Sequence, residues 1–239
     1  MAVIEYDGTD YLGFQLQAEG RTIQSEVERA LAKVTCRETR VIGAGRTDTG
    51  VHAVGQVISF VPQWKHSLTE LQRAMNALLP EDIAVHQLAW VAEDFHPRFS
   101  AVSREYRYTI LNQPHRSPLA RRFAHHYLKP LDVEAMARAA KCLIGSHDFA
   151  SFGRSPQGEN TVRQVYQAEC TRQDEFVYFD IMANAFLYRM VRNIVGTLLL
   201  VGRGELLPEG FEEILQARDR RRAGPPAPAH GLCLMRVNY

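Results

Sequence analysis

The sequence predicts an α+β fold made of two similar halves. Three observations lead there. Short runs of alternating apolar and polar residues recur along the chain, each bounded by turn residues. Between them lie stretches whose apolar residues repeat at helical spacing, some with a capping residue in front. Each half combines strands with one or two helices, without the strict strand–helix alternation of a parallel sheet. With 239 residues, 46% hydrophobic and 23% charged, the composition is globular and excludes a disordered chain. A chain of this length buries roughly 70–75% of its unfolded surface, so it requires no disulfide or metal staple.

Residues 2–6 read as a strand, and Asp7-Gly8-Thr9-Asp10 as the turn that ends it. Over 22–34, Ile23, Val27, Leu31 and Val34 fall on one helix face. Residues 40–44 and 56–62 read as strands flanking a polar loop. Ser67 followed three residues later by Glu70 is a capping box, and Pro80 ends the helix it opens. Strands follow over 83–88 and 106–111. Residues 112–122, with two prolines and three arginines, read as a linker.

The second half repeats the mixture. Asp132 caps a helix through Leu143 that stops at Gly145. Residues 162–171 and 176–182 alternate as a hairpin around Gln173 and Asp174. A long apolar helix is predicted over 186–201, a shorter one over 211–218, and a closing strand over 232–238. No tight repeat is visible, so the division into 1–111 and 112–239 rests on the order of elements.

Net charge is uninformative: 28 Lys and Arg face 27 Asp and Glu, a formal +1. Only Lys33, Lys65, Lys129 and Lys141 are lysines, which leaves 24 arginines among the 28 cations. Arginine's planar fork suits phosphates and carboxylates and stacks on bases; a compositional bias of the source produces the same excess. No apolar run approaches the ~20 residues of a membrane span, and the N-terminus resembles no signal peptide. A cytoplasmic protein without membrane association is therefore expected. Cys36, Cys142, Cys170 and Cys233 are scattered without metal-ligand spacing, as reduced thiols would be.

The densest polar cluster is Gly43-Ala44-Gly45-Arg46-Thr47-Asp48-Thr49-Gly50-Val51-His52-Ala53. Glycines on both sides permit positive φ and close approach of another backbone. A plain glycine-rich turn, with Asp48 bonded to its own backbone, has the same composition. A Walker-type phosphate loop is excluded, because Gly45 is followed by Arg46 and Thr47. The GxGxxG pattern fails at position 48, where it needs a third glycine. No further ligand pair joins Asp48 and His52 to suggest a metal.

Arg46 through Ala53 resembles the signature loop of the tRNA pseudouridine synthase A (TruA) family. The resemblance extends along the chain. Glu5-Tyr6-Asp7-Gly8-Thr9 with Tyr11 and Gly13-Phe14-Gln15 is similar to the family's opening. Asp94-Phe95-His96-Pro97-Arg98-Phe99-Ser100-Ala101 and Arg104-Glu105-Tyr106-Arg107-Tyr108 resemble its next blocks. His147-Asp148-Phe149, Ser151-Phe152, Phe186 and Met190 through Gly196 match later ones, and Ala227-Pro228-Ala229, Gly231-Leu232 and Val237-Asn238-Tyr239 match its ending. Phe14 stands where the family usually has Trp, and fewer residues precede Glu5 than members usually carry. Neither departure touches the catalytic motif.

The resemblance implies the pseudouridine synthase fold: two similar α/β halves, mixed and mainly antiparallel sheets flanked by helices, and a central active-site cleft. Residues 1–111 would carry the Asp48 loop, and 112–239 the Arg192 helix. It also implies isomerisation of uridine to pseudouridine at positions 38–40 of the tRNA anticodon stem-loop, without cofactor or metal. Asp48 would be the nucleophile, attacking either the uracil ring or the ribose anomeric carbon. Arg192 would pair with it and hold it ionised. Tyr106 would stack on the extruded uracil and take the C5 proton, although Tyr108 lies on the same strand face. Substrate contacts are expected from Arg46, on a phosphate or as a wedge in the stem, and from Thr47, His52, Arg98 and Tyr106. Arg218, Arg220, Arg221 and Arg222, with Arg116, Arg121 and Arg122, are the candidates for a tRNA-binding face. The family's members are homodimers, so a homodimer is expected.

Overall fold

Two stretches of the chain, Met1–Val102 with Cys233–Tyr239 and Ser103–Leu232, each close around a core of their own. The structure is a computed structural model and describes residues 1–156 and 158–239. In chain order the elements are β1 (Ala2–Tyr6), α1 (Ile23–Thr35), β2 (Ile42–Gly43), β3 (His52–Ser59), α2 (Leu68–Leu78), β4 (Ile83–Leu88) and β5 (Ser103–Asn112). There follow β6 (His125–Tyr127), α3 (Val133–Lys141), β7 (Gly145–Asp148), β8 (Val162–Gln173), β9 (Phe176–Ala183), α4 (Met190–Gly202), α5 (Pro208–Ala217) and β10 (Leu232–Asn238). The fold is α+β, with mixed and mainly antiparallel sheets.

In the first unit the strand order is β4-β1-β3-β10. β1 lies antiparallel to both β3 and β4, and β10 returns parallel to the start of β3. β2 pairs with the far end of β3. Alternation on β1 buries Ala2, Ile4 and Tyr6. α1 begins where Thr22 accepts from the Ser25 amide, and it buries Ile23, Val27, Ala30 and Leu31. The Ser67–Glu70 capping box is present in both directions and opens α2. Leu79 is extended ahead of Pro80, as the proline ring requires, and the helix stops there.

In the second unit β5-β9-β8-β7 form an antiparallel run, and β6 adds a parallel strand to the end of β5. The hairpin between β8 and β9 turns at Asp174, which has φ 52°. α4 is apolar nearly all round and is buried almost throughout, as a central helix must be. Phe149, Phe152, Phe179 and Phe211 are wholly buried in the same unit.

Four differences from the sequence reading have local causes. The strand expected over 40–44 is only β2, because the chain leaves the ladder to form the Asp48 loop; β3 correspondingly starts at His52 rather than 56. The helix expected from 186 starts at Met190. Arg189 is in the left-handed region at φ 59°, and Tyr188 bridges to Arg154 instead. The segment 112–122 lies inside the second unit. The side-chain amide of Asn112 donates to the carbonyls of Tyr127 and Lys129, and its oxygen accepts from the Leu131 amide and Arg172. β5 belongs to this unit because it pairs with β9 from Arg104 to Leu111, so the compact units divide before 111/112.

Candidate active site

The Asp48 loop is held by the turn that follows β1. Ala44 N–H donates to Val57 O at 2.8 Å, which extends the β2–β3 ladder by one step. The chain then reverses through Asp48–Val51, with Val51 N–H donating to Asp48 O at 3.1 Å. Gly50, third residue of that turn, has φ 76°, a value that suits glycine. Thr47 is fixed from two sides. Its carbonyl accepts from Phe14 N–H at 3.1 Å, and its hydroxyl shares a 2.9 Å hydrogen bond with Tyr6. Gln56, wholly buried, donates from Nε2 to Gly45 O at 2.9 Å; its Oε1 has no hydrogen-bond partner among the described residues.

Contact between the two loops is backbone on backbone. A Cβ on Gly13 would lie 2.6 Å from Thr47 O, and one on Gly8 only 2.0 Å from Val51 O. His52 completes the clamp: its Nδ1 accepts from Gly8 N–H at 3.0 Å. Asp7 Oδ1, 3.1 Å from the same nitrogen, accepts from Thr9 N–H at 2.9 Å and from the Thr9 hydroxyl at 2.6 Å. His52 and Thr47, expected to contact substrate, are both buried and have structural hydrogen bonds. Asp48 is half-buried, and Arg46 is exposed with no side-chain hydrogen bond or ion pair among the described residues. Arg98 is half-buried; its amide donates to His96 Nδ1 and its guanidinium carbon lies 5.5 Å from the Phe99 ring centroid.

The second unit separates the two tyrosines of β5. Tyr108 is wholly buried, and its hydroxyl donates to Pro228 O at 2.8 Å. Burial raises the pKa of that hydroxyl, while the nearby positive charge of Arg192 acts against the rise. Tyr106 is half-buried, opposite Ile181 of β9, with its ring edge-on to Phe186 at 4.9 Å and 81°. Arg192 lies in the first turn of α4. Its Nε donates to Ala227 O at 2.8 Å, and its carbonyl accepts from Ala227 N–H at 2.9 Å.

The arginine run divides by bonding partner. Arg220 reaches Asn193 Oδ1 at 2.9 Å and Ala223 O at 3.1 Å, bonds internal to the fold. Arg221 forks onto Asp219 and holds that carboxyl down at about 2. Arg218 lies 3.4 Å from Asp148, and Arg222 3.8 Å from Glu213. Tyr6, Gln56, Gly8 and Gly13 were not singled out from the sequence as supports of the loop. Among the described residues no group of three or more His, Cys, Asp or Glu could hold a metal ion, and no helix is long and apolar enough to cross a membrane.

Comparison with known proteins agrees along the whole chain. A family model described as tRNA pseudouridine synthase matches residues 2–100 and 139–239. A protein named tRNA pseudouridine synthase A from Moorella thermoacetica is 49% identical over 240 aligned residues, covering 99% of this chain and 97% of that one. Another of that name from Roseiflexus castenholzii is also 49% identical, over 99% of this chain and 88% of its own. One from Thermoanaerobacter sp. is 43% identical, over 100% and 98%. A solved structure of a Cbf5-Nop10-Gar1 complex, at 14% identity and a TM-score of 0.39 over 98% of this chain and 48% of that one, is too distant to bear on the site. The family model reaches into both compact units and the curated relatives run nearly end to end with this sequence, so the chain belongs to the tRNA pseudouridine synthase family.

Proposed function

We propose that the chain isomerises uridine to pseudouridine in the tRNA anticodon stem-loop, with Asp48 as nucleophile. In the net reaction the bond from ribose C1′ to N1 breaks and a bond from C1′ to C5 forms. The C5 proton is lost and N1 ends protonated, so atoms and charge balance. An aspartate suits the covalent step because it is ionised at neutral pH and is also a competent leaving group. Tyr106 stacks on the extruded uracil and receives the C5 proton, and Arg192 serves as the cation for Asp48; both roles rest on the motif resemblance. Extrusion of the base costs a few kcal/mol, which cationic contacts to phosphate must offset. Arg46, exposed two residues before Asp48, is the first such contact, and Arg98 is a second.

The observation that carries this reading is the way Thr47 is anchored by Phe14 and Tyr6 while its neighbour Asp48 stays half-buried. A loop clamped on both flanks of one carboxylate is preorganised for chemistry. Thr47 and His52 act as supports of that loop within this proposal. The motif resemblance also favours a homodimer working in the cytoplasm. Incubation with unmodified tRNA, followed by mapping of pseudouridine, tests the function. Wild type should modify the anticodon stem-loop and Asp48→Ala should not, while both bind tRNA. Strand cleavage, or binding without modification by the wild type, would overturn it.

A further inference from the structure

The chain from Gly224 to Gly231 crosses α4 and reaches β5, where it touches both Arg192 and Tyr108. Gly224 N–H donates to the Thr197 hydroxyl at 2.9 Å. A Cβ on Gly196 would lie 1.7 Å from Pro225 O, so strap and helix meet backbone to backbone. Ala227 bonds Arg192 twice, through its N–H to the arginine carbonyl and through its carbonyl to Nε. One residue on, Pro228 O accepts from the Tyr108 hydroxyl at 2.8 Å. Gly231 lies against the Tyr108 ring, where an added Cβ would come within 2.6 Å of Cζ.

From this arrangement we infer that Tyr108 is a positioning residue: its hydroxyl holds the 224–231 strap in the register that aims the Arg192 guanidinium. The consequence for catalysis rests on the proposed role of Arg192. The argument is one of constraint. A guanidinium bonded at Nε is restricted in orientation, because Nε–H lies in its plane and points at one acceptor. That acceptor is a carbonyl of an irregular segment, whose own position depends on what it is tied to. On the β5 side, Tyr108 ties it through the carbonyl of the very next residue. The phenol sits where nothing on the ring needs a hydroxyl for packing alone; Phe would fill the same space.

Tyr108→Phe deletes the hydroxyl and keeps the ring. Arginine side-chain NMR on the full chain, with the Arg192 Nε–H signal assigned by its loss in Arg192→Lys, reads the position directly. Its exchange with water should quicken about tenfold or more in Tyr108→Phe, the loss of one well-formed tether. Single-turnover pseudouridine formation should slow about tenfold while tRNA affinity stays within about twofold of wild type. If Tyr108→Phe does not fold, Gly231→Ala, which presses a methyl group onto the same ring, should move both readouts in the same direction. Unchanged Nε–H exchange overturns the inference, and so does faster exchange with unchanged turnover. Failure of the Arg192 reading shows separately, as wild-type turnover in Arg192→Met.

Discussion

The phenol of Tyr6 and the hydroxyl of Thr47 meet at 2.9 Å in the interior, one residue before Asp48. Both residues are buried, and Gln56 Nε2 approaches the same phenol at 3.5 Å. Tyr6→Phe would leave the Thr47 hydroxyl without this partner at a cost of about 1–3 kcal/mol. A denaturant titration should show that loss, and the effect on function should be selective. Turnover should fall while tRNA affinity holds, because the loop moves and the surface cations do not. Equal losses in both would mean that Tyr6 supports the unit as a whole rather than the loop.

Gly13 and Gly45 make a matched pair for testing the clamp. Gly13 has φ 93°, and a Cβ there would meet Thr47 O at 2.6 Å. Nothing lies within 4 Å of a Cβ on Gly45. Gly13→Ala should therefore destabilise the fold by about 1–3 kcal/mol, through backbone strain and the displaced loop. Gly45→Ala should leave the unfolding midpoint within about 0.5 kcal/mol of wild type. If the two midpoints shift equally, the first turn does not bear on the Asp48 loop.

Local signals made much of the fold legible in the sequence. β4 and β10 have the expected limits, apolar spacing marked α1, and the Ser67–Glu70 capping box marked α2. Signals spread across the chain did not. The contacts of Gly8 and Gly13 with the Asp48 loop are between backbones, and backbone contact has no hydrophobic period. Tyr106 and Tyr108 share a strand face, so alternation cannot tell them apart. What separates them is the carbonyl of Pro228, which lies 120 residues away in the chain. α4 starts later than its apolar pattern indicates, because Phe186 and Leu187 continue that pattern whereas the left-handed Arg189 interrupts the backbone. Asp48 itself was legible only through the family motif, since its loop alone also reads as an ordinary turn.

His125 gives the second unit an acid limb. Burial, then the charges of His230 and His126, push its pKa from the usual 6.5 down to about 4. As pH falls, the unfolded chain therefore takes up this proton before the folded one does. The stability it lends is complete above about pH 6.5 and drains away as pH drops toward 4. His125→Gln should flatten that part of the pH profile, read as the difference between urea midpoints at pH 7.5 and 5. The same acid loss in the variant would assign the limb to other groups.

Arg192→Met discriminates between two uses of one cation. If Arg192 partners Asp48 where a base displaces water, its loss makes the carboxylate harder to ionise. Turnover should then fall at neutral pH and partly recover as pH rises, because deprotonation restores the nucleophile. Arg192→Lys keeps the charge but loses the Nε bond to Ala227 O, so its turnover should fall about tenfold, as in Tyr108→Phe, with no alkaline recovery. An arginine that only gripped a phosphate would behave otherwise: its removal would weaken tRNA binding and lower the salt slope by about one contact, with no alkaline recovery. The decisive measurements are a pH–rate profile at saturating tRNA and a salt titration of binding, on all three proteins. A binding defect alone in Arg192→Met, with its pH profile parallel to wild type, would remove the ion pair with Asp48 from the mechanism.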